Sequence, residues 1–241
     1  MELFYAPPDT YNAQTHSLAL SGDDAHHAVT VLRKKVGDEL RCIDGTGRCF
    51  VSTVSEVSKG TLYLAVREIL VEPPPKTHLS VAISLTKTPE RFENFLEKST
   101  ELGVSEIIPM ITTRTVSRPK PAQFQAKHAR WQKILISACK QSQRFRFPHL
   151  HTVTHFADVL KRTDDVKVIP YEFSKEPIRL SFAGKRVLFV IGGEGGFTPE
   201  EVDAARRAGF QEISLGETIL RVDTAGLFVV SMVRAEELRQ T

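Results

Sequence analysis

Cysteine is scarce in this sequence of 241 residues: Cys42, Cys49 and Cys139 are the only three, and no two share the C-x-x-C spacing of a zinc or redox pair. Reduced structural thiols are expected, with neither a metal centre nor a disulfide framework. Long apolar runs are also missing. No segment reaches the roughly 20 apolar residues that a membrane-spanning helix requires. Residues 1–10 are acidic and proline-bearing, unlike a basic and apolar leader. The expected location is therefore cytoplasmic, with no membrane partner and no metal.

The most informative absence is of carboxylates. Residues 107–157 contain no Asp or Glu, yet nine basic residues stand there: Arg114, Arg118, Lys120, Lys127, Arg130, Lys133, Lys140, Arg144 and Arg146. A solvated face usually mixes signs, so a one-sided bias of this length favours a polyanionic partner such as a nucleic acid. The overall charge of +3 hides it, because residues 1–72 carry 7 Lys/Arg against 10 Asp/Glu, a balance of −3.

Glycine, by contrast, is concentrated. The apolar run in "VLFVIGGEGGF" (187–197) ends in four glycines around Glu194. No Gly-Lys-Ser/Thr follows, which excludes a P-loop, and Gly193-x-Gly195 lacks the third glycine of a dinucleotide fingerprint. One glycine would serve a turn, whereas four imply close approach to the backbone, read here as approach by a ligand. In "SLGETILRVDTAGL" (214–227), Leu215–Gly216 end a second apolar run and Ile219–Leu220–Arg221 form an apolar loop with one cation. Asp223 or Thr224 is placed to cap a final helix over 224–236, apolar nearly all round and therefore expected to be buried. Two backbone-rich loops poor in charge suit an adenine and a thioether chain better than a triphosphate.

The three prolines of "EPPPKTH" (72–78) break the chain. Before them, a hairpin about Asp44–Gly47, a strand over 60–66 and a helix over 23–33 predict a small β-rich domain, 1–72. After them, strands over 79–85, 104–111, 166–170, 187–191 and 211–215 alternate with helical stretches. The helix over 89–102 has Thr88 as cap, Pro89 in its first turn and Gly103 at its end; that over 198–208 has Thr198 as cap with Glu201 closing a capping box. Alternation of this kind predicts an α/β domain, 73–241, with a largely parallel sheet and its ligand beyond the carboxyl ends of the strands.

These segments carry a resemblance. "VIGGEGGFTPEEV", "ISLGETILRVDTA", "EKSTELGVSEIIPM" (97–110), "RWQKILISACKQSQR" (130–144) and "HHAVTVLRKKVGDEL" (26–40) are similar, in order and over essentially the whole chain, to the ribosomal small subunit methyltransferase E family. The resemblance implies a SPOUT-class domain with a C-terminal trefoil knot, an N-terminal PUA-like RNA-binding domain and a homodimer. It also implies S-adenosylmethionine as cofactor and methylation of N3 of a uridine in 16S rRNA of the small ribosomal subunit, near the decoding centre. The sequence departs from the family pattern at Gly193, where the family usually has proline, at Val222–Asp223, where it has Thr-Glu, and at Gln143, where it has glycine.

The expected cofactor site comprises Ile191, Gly192, Gly193, Glu194, Gly195, Gly196, Leu215, Gly216, Ile219, Leu220, Arg221, Thr224 and Ala225. Loss of the uridine N3 proton leaves a delocalised anion, so a cation near O2 or O4 assists transfer. Arg221 is the first candidate and Arg144 the second. Glu194 is either a general base or a loop-shaping carboxylate, with shaping favoured. Arg33, Lys87, Arg91, Arg114, Arg118, Lys120, Arg144 and Arg146 are the expected RNA contacts, with Phe145 and Phe147 as stacking candidates, while Trp131 is expected in the core. The competing class is a non-catalytic RNA-binding protein, which would need no cofactor loops.

Overall fold

Pro73, Pro74 and Pro75 stand where a computed structural model, which describes residues 2–118 and 121–239, divides the chain into two units. Proline lacks the N–H that would continue a helix or a sheet ladder. The first unit is Met1–Pro74 with Ile136–Phe147, and the second is Pro75–Leu135 with Pro148–Thr241.

The first unit is a six-stranded sheet in the order β1-β4-β5-β6-β3-β2. Its strands are β1 (Leu3–Tyr5), β2 (Tyr11–Asn12), β3 (Ser17–Leu20), β4 (Glu39–Ile43), β5 (Arg48–Ser58) and β6 (Thr61–Val71). Only β1 and β4 pair in parallel. The β5–β6 hairpin turns at Lys59 and Gly60, both at positive φ (47° and 79°), the combination that matches the twist of a tight hairpin. One sheet face buries Phe4, Leu18, Leu20, Leu40, Phe50 and Leu64. The other gathers Leu3, Ile43, Cys49 and Cys139, with Phe145 and Phe147 packed against them. Burial pushes the Cys49 thiol up to about 11 and Cys139 to about 12, as befits inert structural cysteines.

Residues 136–147 were expected in the second domain but are grouped with the first unit, for a definite reason. Glu72 Oε2 accepts hydrogen bonds from the backbone N–H groups of Phe145 (2.5 Å) and Arg146 (2.9 Å), and the Phe147 N–H donates to the Gly45 carbonyl at 2.9 Å. A Cβ at Gly45 would strike the Phe147 ring, and one at Gly47 the Arg146 guanidinium. The glycines of the Asp44–Gly47 turn thus make room for this returning segment. Phe145 and Phe147, the expected stacking candidates, are half-buried here and pack against this cluster. The helix expected over 23–33 is shorter too: α1 (Gly22–His26) runs into a wide π turn over His27–Val31, and Arg33 leaves it at φ 55°.

The second unit holds the parallel sheet that the alternation predicts, in the order β10-β8-β7-β12-β11-β13 with β9 also on β8. Its strands are β7 (His78–Ser84), β8 (Glu106–Ile111), β9 (His149–Leu150), β10 (Thr154–His155), β11 (Val166–Pro170), β12 (Arg186–Ile191) and β13 (Gln211–Ile213). The helices are α2 (Pro89–Glu101), α3 (Pro121–Ser142, in this unit as far as Leu135), α4 (Phe156–Val159), α5 (Pro199–Arg207) and α6 (Val222–Arg239). Both sheet faces are covered, so alternate residues of one strand enter different cores. Val81, Ile83, Phe189 and Ile191 pack with Phe95, Trp131, Val229 and Val230. Ala82, Leu188 and Val190 pack with Phe156, Val202 and Ala205. Among the described residues no helix is long and apolar enough to cross a membrane.

Two capping expectations divide. Thr198 makes the full capping box with Glu201, whereas the Thr88 side chain caps nothing. The last helix starts at Val222, ahead of both expected caps, and Asp223 Oδ1 is buried there without a hydrogen-bond partner.

Candidate functional site

Strands β11, β12 and β13 all point their carboxyl ends to one edge of the second unit's sheet, where backbone N–H and C=O groups leave the ladder and become available. There the segments 170–172, 191–197 and 215–222, with Arg91 and Ala225, line a cavity of about 460 Å³. All the expected cofactor residues line it except Thr224, which is exposed on the first turn of α6. Glu217 and Thr218, inside the expected loop 215–221, also line it, as do Pro170, Tyr171, Glu172, Phe197 and Val222, which were not anticipated. Pro170 ends the strand expected over 166–170 and Tyr171 and Glu172 follow it, but its place beside β12, which brings them to this edge, comes from the fold and is not written in the sequence.

Each of the four glycines in 192–196 has a neighbour of its own. A Cβ would stand 3.2 Å from the Phe197 ring at Gly192, 2.9 Å from Ser84 Oγ at Gly193, 3.1 Å from Arg114 Cβ at Gly195 and 2.5 Å from Glu172 Oε1 at Gly196. The close approach inferred from four glycines is therefore first an approach by other parts of the protein. Gly216 differs: it has φ 110°, and its Cβ position is open.

Long-range hydrogen bonds hold this loop in shape. Arg114 Nη1 donates to the carbonyls of Gly195 (2.7 Å) and Phe197 (3.2 Å). Glu194 Oε1 accepts from the backbone N–H of Lys87 at 3.0 Å, tying the loop to the end of β7. Glu201 joins the capping box to the end of β8, accepting from the N–H of Thr113 at 2.8 Å and of Thr198 at 2.9 Å. Arg118 donates to the carbonyls of Thr112, Thr113 and Thr115. Arg114 and Arg118, expected to contact RNA, thus have their guanidinium groups engaged with backbone carbonyls.

Of the other expected RNA contacts, Arg91 lines the cavity and the Lys87 side chain is exposed beside the loop that Glu194 anchors. Arg33, Arg144 and Arg146 belong to the first unit, where Arg146 Nη2 donates to the Glu72 carbonyl at 3.2 Å. Lys120 lies outside the described residues. Arg221 is exposed and lines the cavity, and its carbonyl accepts from the Ala225 N–H at 2.8 Å to open α6. The charged side chains of the wall are therefore Glu172, Glu194 and Glu217 against Arg91 and Arg221, with no lysine.

A model of the RNA methyltransferase domain family matches residues 72–234, and a model of the RNA methyltransferase PUA domain matches residues 20–67. The chain is 30% identical over 230 residues to ribosomal RNA small subunit methyltransferase E of Rickettsia conorii, covering 92% of this chain and 91% of that protein. It is also 30% identical over 231 residues to the Bacillus subtilis protein of the same name, covering 90% and 89%. Among solved structures, a probable rRNA-methyltransferase from Porphyromonas gingivalis is similar at TM-score 0.88 and 32% identity over 100% of both chains. Ribosomal RNA small subunit methyltransferase E from Neisseria gonorrhoeae, bound to S-adenosyl methionine, is similar at TM-score 0.85 and 27% identity over 98% of this chain and 97% of that one. With the family model spanning most of its length and such relatives end to end, this chain belongs to the ribosomal RNA small subunit methyltransferase E family.

Proposed function

We propose that this chain transfers the methyl group of S-adenosylmethionine to N3 of a uridine in 16S rRNA of the small ribosomal subunit. In this reading residues 1–72 form the PUA-like RNA-binding domain, and residues 73–241 form a SPOUT domain with a trefoil knot, active as a homodimer in the cytoplasm. The relatives' names support the rRNA substrate. The knot, the dimer and the N3 position rest on the family resemblance alone.

The observation that carries the reading is the cavity itself. Its volume of about 460 Å³ lies in the range of small-molecule sites. Its wall is glycine backbone plus Ile191, Leu215, Ile219 and Leu220, which suits the flat apolar faces of an adenine. Three carboxylates against two arginines suit a cationic ligand and would repel a triphosphate. When bound, S-adenosylmethionine supplies a methyl group activated by a sulfonium. The residues of this chain then have three tasks: to hold that group, to exclude water and to stabilise the uracil anion. Arg221 is proposed for the anion. Glu194, with one oxygen held by the Lys87 N–H, is proposed to shape the loop. Arg144 is proposed to contact the RNA.

Calorimetry with S-adenosylmethionine, S-adenosylhomocysteine and ATP in parallel tests the cofactor assignment. The two adenosyl ligands should bind and ATP should not, whereas preferential binding of ATP would overturn it. Light scattering tests the dimer.

A further inference from the structure

Glu172 has a setting that no part of the sequence reading anticipated. It follows β11, the parallel neighbour of β12, and its carboxylate rests on the glycine loop that β12 feeds. A Cβ on Gly196 would stand 2.5 Å from Glu172 Oε1, and Gly196 is also held at φ 63°. Glycine at 196 therefore leaves the space in which this carboxylate forms part of the cavity wall. The other wall carboxylates are placed differently. All three are exposed, but Glu194 is hydrogen-bonded to the Lys87 N–H, and Glu217 stands on the loop 216–219 and is not among the nearest neighbours of the glycines of 192–196. Among the described residues the Glu172 side chain has no hydrogen bond or ion pair, so its acceptor capacity faces the cavity unspent.

An adenosyl ligand of this kind presents three groups that require acceptors: the adenine N6 amine, the α-ammonium of its amino-acid chain and the vicinal diol of its ribose. Two adjacent O–H donors match a carboxylate, which accepts at both oxygens and donates at neither. In doubly wound sheets, an acid one strand over from a glycine loop meets ribose in the same way, because loop and strand end flank one crevice. Ile191, Leu215, Ile219 and Leu220 offer the base no comparable side-chain acceptor. We propose that Glu172 is the ribose-recognising residue of this site, accepting hydrogen bonds from the 2′- and 3′-hydroxyls. This rests on the adenosyl-ligand reading above.

The test is calorimetry of S-adenosylhomocysteine and its 2′-deoxy counterpart on the wild type and on Glu172→Ala. S-adenosylhomocysteine carries no sulfonium, so attraction to that charge is removed, and its ammonium is common to the full and the 2′-deoxy ligand. Hydrogen bonds to a charged acceptor predict a loss of about tenfold to a hundredfold for the full ligand on Glu172→Ala. The wild type should lose affinity for the deoxy ligand, and the variant should scarcely distinguish the two. Equal losses for both ligands, or none, would overturn the proposal. So would weaker binding of S-adenosylmethionine alone, which makes Glu172 a counter-charge to the sulfonium. Unchanged affinities with a slowed, pH-shifted single turnover would overturn it too, making Glu172 a proton acceptor. If the wild type binds no S-adenosylhomocysteine, this proposal and the cofactor reading fall together.

Discussion

Arg114 illustrates how far a single residue can move between sequence and structure. It lies in a stretch without carboxylates, and charge alone makes it a phosphate contact. The structure instead sets its guanidinium on the carbonyls of Gly195 and Phe197. Arg114→Ala should therefore weaken S-adenosylmethionine binding by about tenfold through loss of loop order, the worth of one such hydrogen bond. It should leave the salt dependence of rRNA binding unchanged, whereas a phosphate contact would reduce that slope by about one. Calorimetry and a salt titration separate the two roles. Gly195 is instructive for the same reason: a side chain there meets Arg114 before it meets a ligand. Gln143 was noted in the sequence only as a departure from a family glycine, and the structure gives it φ 60°. A left-handed conformation costs a side-chain-bearing residue roughly 1–2 kcal/mol, of which the freer unfolded glycine returns about half. Gln143→Gly should therefore stabilise the protein by about 0.5–1 kcal/mol in urea unfolding, and destabilisation would contradict the strain.

Elements were legible where local chemistry decides them. Five of the seven strands of the parallel sheet, α2 and α5 lie close to their expected positions, because apolar runs, first-turn prolines and the Thr198 capping box are written within a few residues, whereas the two-residue β9 and β10 were not expected. The grouping of 136–147 with the first unit was not legible, since it depends on Glu72, Gly45 and Gly47, far away in sequence. Nor was the contribution of 170–172 to the cavity, because the order of strands in a parallel sheet is a tertiary fact. Helix α6 was read as buried from its composition; it buries Val222, Gly226, Val229, Val230 and Val233 but leaves Phe228 46% exposed, and it must be small at one point. A Cβ at Gly226 would lie 2.7 Å from the ring of Phe95, itself fully buried on α2. Gly226→Ala gains helix propensity yet should destabilise by about 1–3 kcal/mol through overpacking, measurable by denaturant unfolding. A gain in stability would show that α2 and α6 can move apart without cost.

For the whole molecule, acid stability and activity are the properties to predict. At the amino ends of β7 and β8, opposite the cavity edge, Glu106 binds His78 (2.9 Å), Ser80 (3.1 Å), His151 (3.2 Å) and Arg162 (2.9 Å). The hydrogen bond from His151, then that from His78 and the charge of Arg162, hold its carboxyl well below the ordinary 4.5, against the opposing effect of burial. A carboxylate depressed in the folded state stabilises above its unfolded pKa and loses that contribution as pH falls below it. Glu106→Gln should therefore cost about 2 kcal/mol at pH 7 and flatten the fall in stability below pH 4.5. Urea midpoints at pH 7 and across the range below pH 4.5 check this, and parallel curves for both proteins would contradict it. The proposed product is 3-methyluridine in 16S rRNA. Purified protein, small ribosomal subunits lacking the modification and methyl-labelled S-adenosylmethionine, followed by nucleoside mass spectrometry, test it most directly. Label should be recovered as 3-methyluridine from 16S rRNA, and lost with Arg221→Ala. Label on a ribose hydroxyl or another base, or no transfer despite bound S-adenosylmethionine, would contradict it.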